Sequence, residues 1–273
     1  MKITMIGPVY PYKTGLSYYV GLLYKQLIKN HDVTLYSYSM QYPKLLYKKP
    51  QKDYEDDVVK VDEARFILNS ANPFSWVSLA KKINKDNPDL VILQWLHPYF
   101  APCYSVLERL LNKNIKIAYN CHNALPHERF PFDKALTKFT LKKADLVIAH
   151  SYSDEKTLSE LNMGNKIAVN PHPAYNFFKI KDMTKEEGRK LLNLSTENKV
   201  LLFFGLVREY KGLKHLLNAM PDIAKKYPEV RLIIAGDFGN GRDKYNEMIE
   251  NLKIGDFIQI HDGHIPIPDV EKF

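Results

Sequence analysis

Residues 202–221 read LFFGLVREYKGLKHLLNAMP, and their pattern is the clearest indication of the fold class. An apolar run of strand length over Val200–Phe204 is followed by Gly205, and apolar residues at helical spacing continue from Gly212 to Lys226. A second strand is predicted at Arg231–Ala235. A strand, a helix and a strand in this order are typical of a parallel α/β sheet with helices packed on its faces.

The same alternation runs through the rest of the chain. Apolar runs of strand length lie at Ile3–Ile6, Val33–Tyr36, Leu90–Leu93, Ile115–Tyr119, Leu146–Ala149, Ile167–Val169 and Phe257–Ile260. Helices are predicted at Leu16–Lys29, Ser75–Lys85, Tyr104–Leu111, Lys134–Lys142, Ser151–Leu161, Lys185–Leu192 and Tyr245–Leu252. The polar, tyrosine-rich stretch from Ser37 to Asp62 has no clear period and predicts a long loop.

These elements predict two doubly wound parallel-sheet domains in series. The first covers residues 1–170, a linker with two prolines covers 171–184, and the second covers 185–273. The second domain has only three clear strands, which is few for a doubly wound sheet. We therefore expect the second domain to be incomplete.

The composition is that of a soluble globular protein, with 45% hydrophobic and 26% charged residues. Two cysteines, Cys103 and Cys121, supply no disulfide framework, which favours a reducing compartment. No run approaches the ~18 apolar residues of a membrane-spanning helix. The first residues lack the apolar core of a signal peptide. We therefore expect a cytoplasmic protein.

The positive charge is concentrated in the first domain. Through Tyr175, Lys and Arg outnumber Asp and Glu by 23 to 16, whereas the remaining residues carry 16 against 15. Such a basic domain favours a polyanionic partner: an anionic membrane surface, a phosphorylated ligand or nucleic acid. A solvated, lysine-rich surface explains the charge equally well. Nucleic acid is not expected as a partner, because the basic residues are scattered and no nucleic-acid-binding motif is present.

The loop after the first strand, residues 7–17, reads GPVYPYKTGLS. In open α/β sheets ligands bind beyond the carboxyl ends of the strands, so this loop is a candidate binding segment. It has neither the GxGxxG spacing of a dinucleotide site nor the GxxxxGK[ST] spacing of a P-loop. Gly15 could still let backbone N–H groups approach a phosphate at the start of a helix. An ordinary strand–helix turn is the alternative.

Residues 120–128, NCHNALPHE, follow another predicted strand. His122, Asn123, His127 and Glu128 offer hydrogen bonds and charge to a polar substrate, although a lone loop histidine is usually structural. No zinc site is expected, because His122 and His127 are five residues apart without a helix to align them, and no cysteine pair accompanies them. We interpret this segment as part of a substrate site.

In the second domain, Arg208 and Lys211 are bracketed by Gly205 and Gly212 just before a predicted helix. An arginine fork, a lysine point charge and the amides of a helix N-terminus together can clamp a diphosphate. A charged helix start is the alternative interpretation. Cations at that end oppose the helix dipole, however, which favours an anion held between them.

Two further glycine-containing loops follow strands of the second domain. They are AGDFGNG, which includes Gly236, and HDGHI, which ends at Ile265. Either loop could border the base or ribose of a nucleotide, and either could equally be a plain turn.

Taken together, several motifs resemble the retaining glycosyltransferases of family 4, which have the GT-B fold. These are the glycine loop after the first strand, CHNALPHE, NPHPAYNFF at the linker, LFFGLVREYKGLKHLLNAMP and LIIAGDFG. They occur in the family's order along essentially the whole chain. The resemblance implies two Rossmann-like domains facing a cleft, with the acceptor on the first domain and a nucleoside-diphosphate sugar on the second.

The resemblance also implies roles for individual residues. Arg208 and Lys211 would neutralise the donor diphosphate, Gly15 would approach the phosphates from the other domain, and His122 would lie beside the donor sugar and the reacting carbon. Gly205 and Gly236 belong to the donor loops, and Ile265 would meet the base through its backbone. Asn123, His127 and Glu128 would line the acceptor pocket. No metal and no cofactor are expected, because the cations neutralise the diphosphate and no DxD triplet stands at a strand end.

Two departures from the family pattern bear on activity. The family often has a glycine pair in the first loop, where this chain has Thr14 and Gly15. The family's E-x7-E pair, which holds the donor ribose and sugar, belongs beyond Phe273. We therefore expect these 273 residues to be a truncated form with little or no turnover, because the contacts that orient the sugar are lost.

The resemblance makes a retaining hexosyl-type glycosyltransferase of polysaccharide or lipopolysaccharide assembly the leading functional hypothesis. Its acceptor would be a glycan or a lipid-linked molecule. Peripheral attachment at the inner face of the membrane would explain the basic first domain. The alternative is a truncated, non-catalytic binding or regulatory subunit of such a pathway.

Overall fold

The structure, a computed structural model, describes residues 1–13, 15–47, 50–54, 58–126, 128–163, 166–175 and 178–273. The chain folds into two compact units, Met1–Ala174 and Tyr175–Phe273. Each is built around its own parallel sheet, so the α/β class predicted from the sequence is confirmed.

The first unit contains a seven-stranded sheet with strand order β3-β2-β1-β4-β5-β6-β7. Every strand pairs with its neighbours in parallel. The strands are β1 (Lys2–Ile6), β2 (Asp32–Met40), β3 (Arg65–Asn69), β4 (Leu90–Trp95), β5 (Lys116–Cys121), β6 (Leu146–Ala149) and β7 (Ile167–Val169). The order reverses direction between β1 and β4, so the sheet is doubly wound.

Within the described residues, five α-helices lie between these strands: α1 (Gly15–Leu27), α2 (Pro73–Asp86), α3 (Ala101–Leu110), α4 (Asp133–Leu141) and α5 (Tyr152–Glu160). Their ends follow from local chemistry. The Asn72 side chain accepts a hydrogen bond from the Phe74 amide at the start of α2, and Asn87 takes the left-handed conformation at its end. The Ser151 side chain accepts a hydrogen bond from the Asp154 amide at the start of α5.

The core of the first unit is aromatic as well as aliphatic. Trp95, Tyr104 and Tyr119 are fully buried between the sheet and its helices. The hydroxyls of these buried tyrosines need partners, since an unsatisfied buried hydroxyl is costly. Tyr104 donates to the Gln94 carbonyl and Tyr119 donates to the Glu108 carboxylate. Part of the tyrosine content of the chain is therefore core rather than a ligand-binding surface.

Two predictions in this unit are wrong. β2 continues to Met40 instead of ending at Tyr36, and no strand was predicted at the position of β3, Arg65–Asn69. The extension of β2 consists of two serines, one tyrosine and one methionine, of which Ser37 and Tyr38 are buried, so it lacks the apolar run by which we identified strands. β3 is an edge strand with its first residues exposed, and edge strands have no need of a continuous apolar sequence.

The second unit contains a three-stranded parallel sheet with strand order β10-β9-β8. Its strands are β8 (Lys199–Phe204), β9 (Val230–Gly236) and β10 (Ile258–Asp262), and its helices are α6 (Lys185–Leu191), α7 (Leu213–Lys226), α8 (Arg242–Asn251) and α9 (Ile267–Val270). One face of the sheet packs on α7 and α8 through Leu217, Leu232 and Ile249. α6 begins with a capping box between Thr184 and Glu187.

The segment before α6 is hydrogen-bonded to Glu271, near the last residue of the sequence. The Glu271 carboxylate accepts hydrogen bonds from the backbone amides of Ile180, Lys181 and Met183 at 3.0, 2.6 and 2.6 Å. These three amides hold the pKa of Glu271 below its usual value. Among the helices within the described ranges, none has the length and apolar content to cross a bilayer.

Candidate functional site

A row of polar side chains lies along the carboxyl edge of the first sheet. Gln94 is on β4, His122 follows β5, His150 follows β6, and His172 lies three residues beyond β7. Because β4, β5, β6 and β7 are consecutive in the sheet, residues distant in sequence become neighbours in space. One ligand atom from each of the three histidines lies within 4.8 Å of the others.

We refer to His122, His150 and His172 as the histidine triad. Two of its members, His122 and His150, are held by a hydrogen bond at one ring nitrogen. His122 Nε2 is bonded to Gln94 Oε1 at 2.8 Å, and His150 Nδ1 donates to the Asn170 carbonyl at 2.7 Å. Since both acceptors are oxygens, each ring carries its proton on the bonded nitrogen. The opposite nitrogens, His122 Nδ1 and His150 Nε2, are buried and have no partner within the described part of the chain.

Tyr19 of α1 packs against all three histidine rings. The centroid distances are 4.9 Å to His122, 5.2 Å to His150 and 5.1 Å to His172, each with the rings edge to face. The Tyr19 hydroxyl accepts a hydrogen bond from Asn120 Nδ2 at 2.9 Å, which sets the orientation of the ring. His122 and His150 are each 7% exposed, whereas His172 is exposed.

The environment favours neutral imidazoles. Burial lowers the pKa of His122 well below 6.5, and the adjacent His150 and His172 lower it further. Burial and His150 also lower the pKa of His172, against the opposing effect of Asp154. At neutral pH, His122 and His172 therefore act as neutral hydrogen-bonding groups or as ligands through a ring nitrogen.

The segment that follows β5 is fixed by α5. The Ala124 amide donates to Asp154 Oδ1 at 2.9 Å, while Ser151 Oγ donates to Asp154 Oδ2 at 2.6 Å. Of the residues predicted for this segment, Asn123 is half-buried beside His122 and Glu128 is exposed. His127 falls outside the described residues.

Gly15 is the first residue of α1. A Cβ added there would meet no atom within 4 Å among the described residues. Packing within the first unit therefore does not require glycine at this position. The open space is compatible with a ligand approaching the backbone, as the sequence suggested. Thr14 lies outside the described residues.

In the second unit, four predicted residues come together where β8 and β9 end. Gly205 and Gly236 have φ angles of 107° and 150°, in the region that favours glycine. The Lys211 Nζ atom lies 3.5 Å from the position that a Cβ would occupy on Gly205. Arg208 is half-buried and donates from Nη1 to the Val207 carbonyl at 3.3 Å. These cations lie just before the amino terminus of α7.

The charges around this loop are unevenly paired. Glu209 forms ion pairs with Lys244 at 2.8 Å and with Lys214 at 3.4 Å, and these lysines lower its pKa. Arg208 and Lys211 form no ion pair with a carboxylate anywhere in the described ranges. The one carboxylate between them is thus already neutralised, and both cations remain available to an anion.

Ile265 lies in the loop between β10 and α9. Its side chain packs against a small apolar cluster of Leu192, Ile233 and Ala235. This contact anchors the loop near the end of β9. The neighbouring loop is held similarly, because the Phe238 amide donates to Asp262 Oδ1 at 3.3 Å.

Sequence reasoning missed Gln94, His150 and His172. A signal did exist: each histidine follows a predicted strand within three residues, at the end where parallel sheets bind ligands. The spacing of these residues along the sequence does not reveal the strand order, and it is the strand order that makes β5, β6 and β7 neighbours.

Two family models together match most of the chain. The model described as Glycosyltransferase Family 4 matches residues 13–174, and the model described as Glycosyl transferases group 1 matches residues 184–269. The first match alone covers well over half of the chain.

Two curated relatives agree with these matches. The Uncharacterized glycosyltransferase MJ1059 of Methanocaldococcus jannaschii is 27% identical over 220 residues, covering 71% of this chain and 53% of the relative. Spore coat protein SA of Bacillus subtilis is 24% identical over 280 residues, covering 92% of this chain and 65% of the relative. The chain thus spans between half and two thirds of the length of these relatives.

Solved structures show the same fold. Anabaena Alr3699/HepE in complex with UDP-glucose has a TM-score of 0.69 at 16% identity, covering 99% of this chain and 71% of that one. A glycosyltransferase from Rickettsia africae has a TM-score of 0.69 at 20% identity, covering 99% and 69%. The UDP-GlcNAc 2-epimerase of Neisseria meningitidis also has this fold, with a TM-score of 0.66 at 15% identity, covering 100% and 75%. The fold is thus common to transferases and epimerases, whereas the family matches are to glycosyltransferases alone, and this chain belongs to the group 1 glycosyltransferases of family 4.

Proposed function

We propose that this protein binds a nucleoside-diphosphate sugar through its second unit and transfers the sugar, with retention at the anomeric carbon, to a glycan or lipid-linked acceptor. The observation that carries the proposal is the loop after β8. There Arg208 and Lys211 lie between two strand ends and a helix amino terminus, without ion pairs to described carboxylates. The family membership supplies the reaction class.

The chemistry of the loop fits a diphosphate. Lys211 lies over Gly205, where no Cβ blocks the approach of a phosphate to the backbone. Arg208 adds a planar fork, and the first amides of α7 add partial positive charge. Negative charge grows on the diphosphate as the sugar departs, so these groups stabilise the transition state more than the bound donor. In this proposal no metal neutralises the diphosphate.

Roles for the other predicted residues are part of the same proposal. His122 would lie beside the donor sugar and the reacting carbon. Gly15 would contact a phosphate through the amino terminus of α1, where space for a ligand exists. Gly236 and Ile265 would border the nucleoside, and Asn123, His127 and Glu128 the acceptor.

Donor binding is the first test. We expect UDP-glucose, the ligand of the Anabaena structure, or another nucleoside-diphosphate sugar to raise the melting temperature, because ligands stabilise the state that binds them. Arg208→Ala and Lys211→Ala should abolish the shift. Lys225→Ala removes the same charge at the other end of α7 and should leave it intact. A shift that survives both loop substitutions would contradict the proposed donor site.

Transfer itself needs a separate assay, because the chain spans only part of its relatives. Donor and a panel of glycan and lipid-linked acceptors would be incubated with the protein, and the anomeric configuration of any product read by NMR. Retention supports the proposal, whereas inversion contradicts it.

We further propose that the first unit docks on an anionic membrane surface, as a protein of polysaccharide or lipopolysaccharide assembly. Besides its excess of basic residues, the unit exposes two adjacent leucines, Leu45 at 86% and Leu46 at 60%, next to exposed Lys44. Apolar side chains beside lysines suit an anionic bilayer surface.

Vesicle sedimentation tests this proposal. The protein should sediment with phosphatidylglycerol vesicles at low salt and less with phosphatidylcholine vesicles. Leu45→Glu with Leu46→Glu should reduce binding, while Leu191→Glu, at an exposed leucine of the second unit, should not. Equal binding by both variants would argue against this docking surface.

A further inference from the structure

We propose that His122, His150 and His172 form a binding site for a divalent transition metal, with zinc as the first candidate. The sequence spacing of His122 and His127 led us to expect no zinc site, and the family resemblance implied no metal. The triad consists of different histidines, which the strand order brings together.

The protonation of the two buried rings is the main argument. His122 and His150 each donate the ring N–H in a hydrogen bond to an oxygen atom. The nitrogen–oxygen distances are 2.8 and 2.7 Å. Each therefore has a lone pair on its other nitrogen, and both of these nitrogens are among the buried atoms that have no partner in the described part of the chain. Histidine ligands of metals are held in this way, with the second ring N–H donated to a carbonyl or carboxylate.

The distances fit a bound ion after a small adjustment. The ligand atoms of the triad lie within 4.8 Å of one another. Zinc binds imidazole nitrogen at about 2.0–2.1 Å, which places tetrahedral ligands about 3.3 Å apart. The rings need to approach by at most about 1.5 Å. His172 is exposed and can make most of this movement.

The ligand set indicates the kind of metal. Three imidazoles without a thiolate or carboxylate favour zinc, copper, nickel or iron over magnesium and calcium. Asp154, the carboxylate that affects the pKa of His172, already uses both oxygens to accept from Ala124 N and Ser151 Oγ. A site of three histidines leaves a coordination position for water or a substrate oxygen.

Packing alone is a less satisfactory account of the triad. A buried nitrogen without a hydrogen bond has lost its contact with water and gained no other partner, and the triad contains two such nitrogens. A metal ion bound to both of these nitrogens would give each of them a partner, and His172 would be the third ligand. It would also join the ends of β5 and β6 to the segment that follows β7.

Metal titration of the tag-free full chain tests the site without any donor, so its result is independent of the proposed transferase function. After treatment with a chelator, we expect one zinc ion to bind per chain with Kd of about 1 µM or tighter, measured by calorimetry. Cobalt substitution should give visible absorption bands typical of low-coordinate nitrogen ligation. Zinc should also raise the melting temperature.

His172→Gln is the decisive variant, because this residue is exposed and its replacement should leave the apo fold intact. We expect it to weaken zinc binding at least about tenfold. His150→Gln should do the same, with circular dichroism as the check on folding. His215→Gln, at an exposed histidine of α7, is the matched control and should bind as the unsubstituted chain does.

Two results would overturn the proposal. One is the absence of stoichiometric binding of zinc, cobalt, nickel or copper by the folded chain. The other is unchanged binding in His172→Gln and His150→Gln.

Discussion

The carbonyl oxygen of Gly205 lies 1.9 Å from the position that a Cβ atom would occupy on Gly236. Gly205 directly follows β8 and Gly236 ends the neighbouring strand β9, and the Gly205 amide donates to the Ala235 carbonyl at 2.8 Å. The backbones therefore approach more closely here than any side chain permits. This approach fixes where the loop with Arg208 and Lys211 begins.

Gly236→Ala is therefore expected to destabilise the second unit by about 3 kcal/mol or more, from the clash with Gly205 together with the positive φ of 150°. Urea unfolding measures the loss. Gly255→Ala is the matched control, because a Cβ there meets no atom within 4 Å among the described residues. Similar stability of the two variants would show that the strand ends are not in such close contact.

The Gly15→Ala substitution tests whether Gly15 contributes to donor binding, because it should have little effect on folding. The added methyl group has open space around it, so the melting temperature without ligand should change little. If a phosphate approaches the backbone at this point, the methyl group should lower donor affinity at least about fivefold, by displacing the phosphate from the α1 amides. Calorimetric titration with the donor gives the affinity. Unchanged affinity would remove Gly15 from the donor site.

Gly7→Ala should disturb the triad from a distance. A Cβ on Gly7 would lie 2.4 Å from Gln94 Cγ, and Gln94 is fully buried with little room to move. We expect a loss of about 1–3 kcal/mol in unfolding free energy, as for overpacked cores. Because Gln94 holds His122, the imidazole ¹⁵N shifts of His122 should change as well, measured by NMR. Unaltered shifts in a destabilised variant would show that Gln94 does not position this ring.

Glu108 makes stability depend on pH. Burial raises the pKa of this carboxyl from 4.5 to about 7, although the Tyr119 hydrogen bond and the charges of Lys143 and Arg109 partly oppose the rise. The folded state therefore holds the proton more tightly than the unfolded chain. The contribution is fully present below pH 4.5 and is lost as pH rises through about 7, which amounts to at most about 3 kcal/mol.

Glu108→Gln should remove this dependence. Between pH 5 and pH 8 the unfolding free energy of the unsubstituted chain should fall more steeply than that of the variant, and the variant should be the more stable at pH 8. Urea titrations across this range give both curves. Glu160→Gln, at an exposed glutamate of α5, serves as the control. Parallel curves for Glu108→Gln and the unsubstituted chain would contradict the raised pKa.

The predicted fold was close to the structure wherever helices and strands have strong local periodicity. α2, for example, was predicted at Ser75–Lys85 and spans Pro73–Asp86. The failures were β3 and the end of β2, whose residues are polar or exposed on one side. A strand at a sheet edge is stabilised by its neighbour more than by its own sequence, so a single-sequence reading has little to detect.

The candidate site was predicted only in part. Gly205, Arg208 and Lys211 were predicted as a group because a strand, a loop and a helix adjacent in sequence place them close together, and their part in donor binding stays a prediction. The triad could not be identified, since its members are 28 and 22 residues apart in sequence. Side chains from separate βα units meet only after the sheet has formed.

Sequence alone thus determined the α/β class and the cationic loop after β8, because both depend on contacts within about a dozen residues of the chain. The tertiary structure decided which histidines are neighbours, which of their nitrogens have no partner in the described ranges, and why Gly236 must lack a side chain. These properties depend on strand order and on the approach of separate backbone segments. Local residue pattern does not encode such long-range relationships in a form that can be read from one sequence.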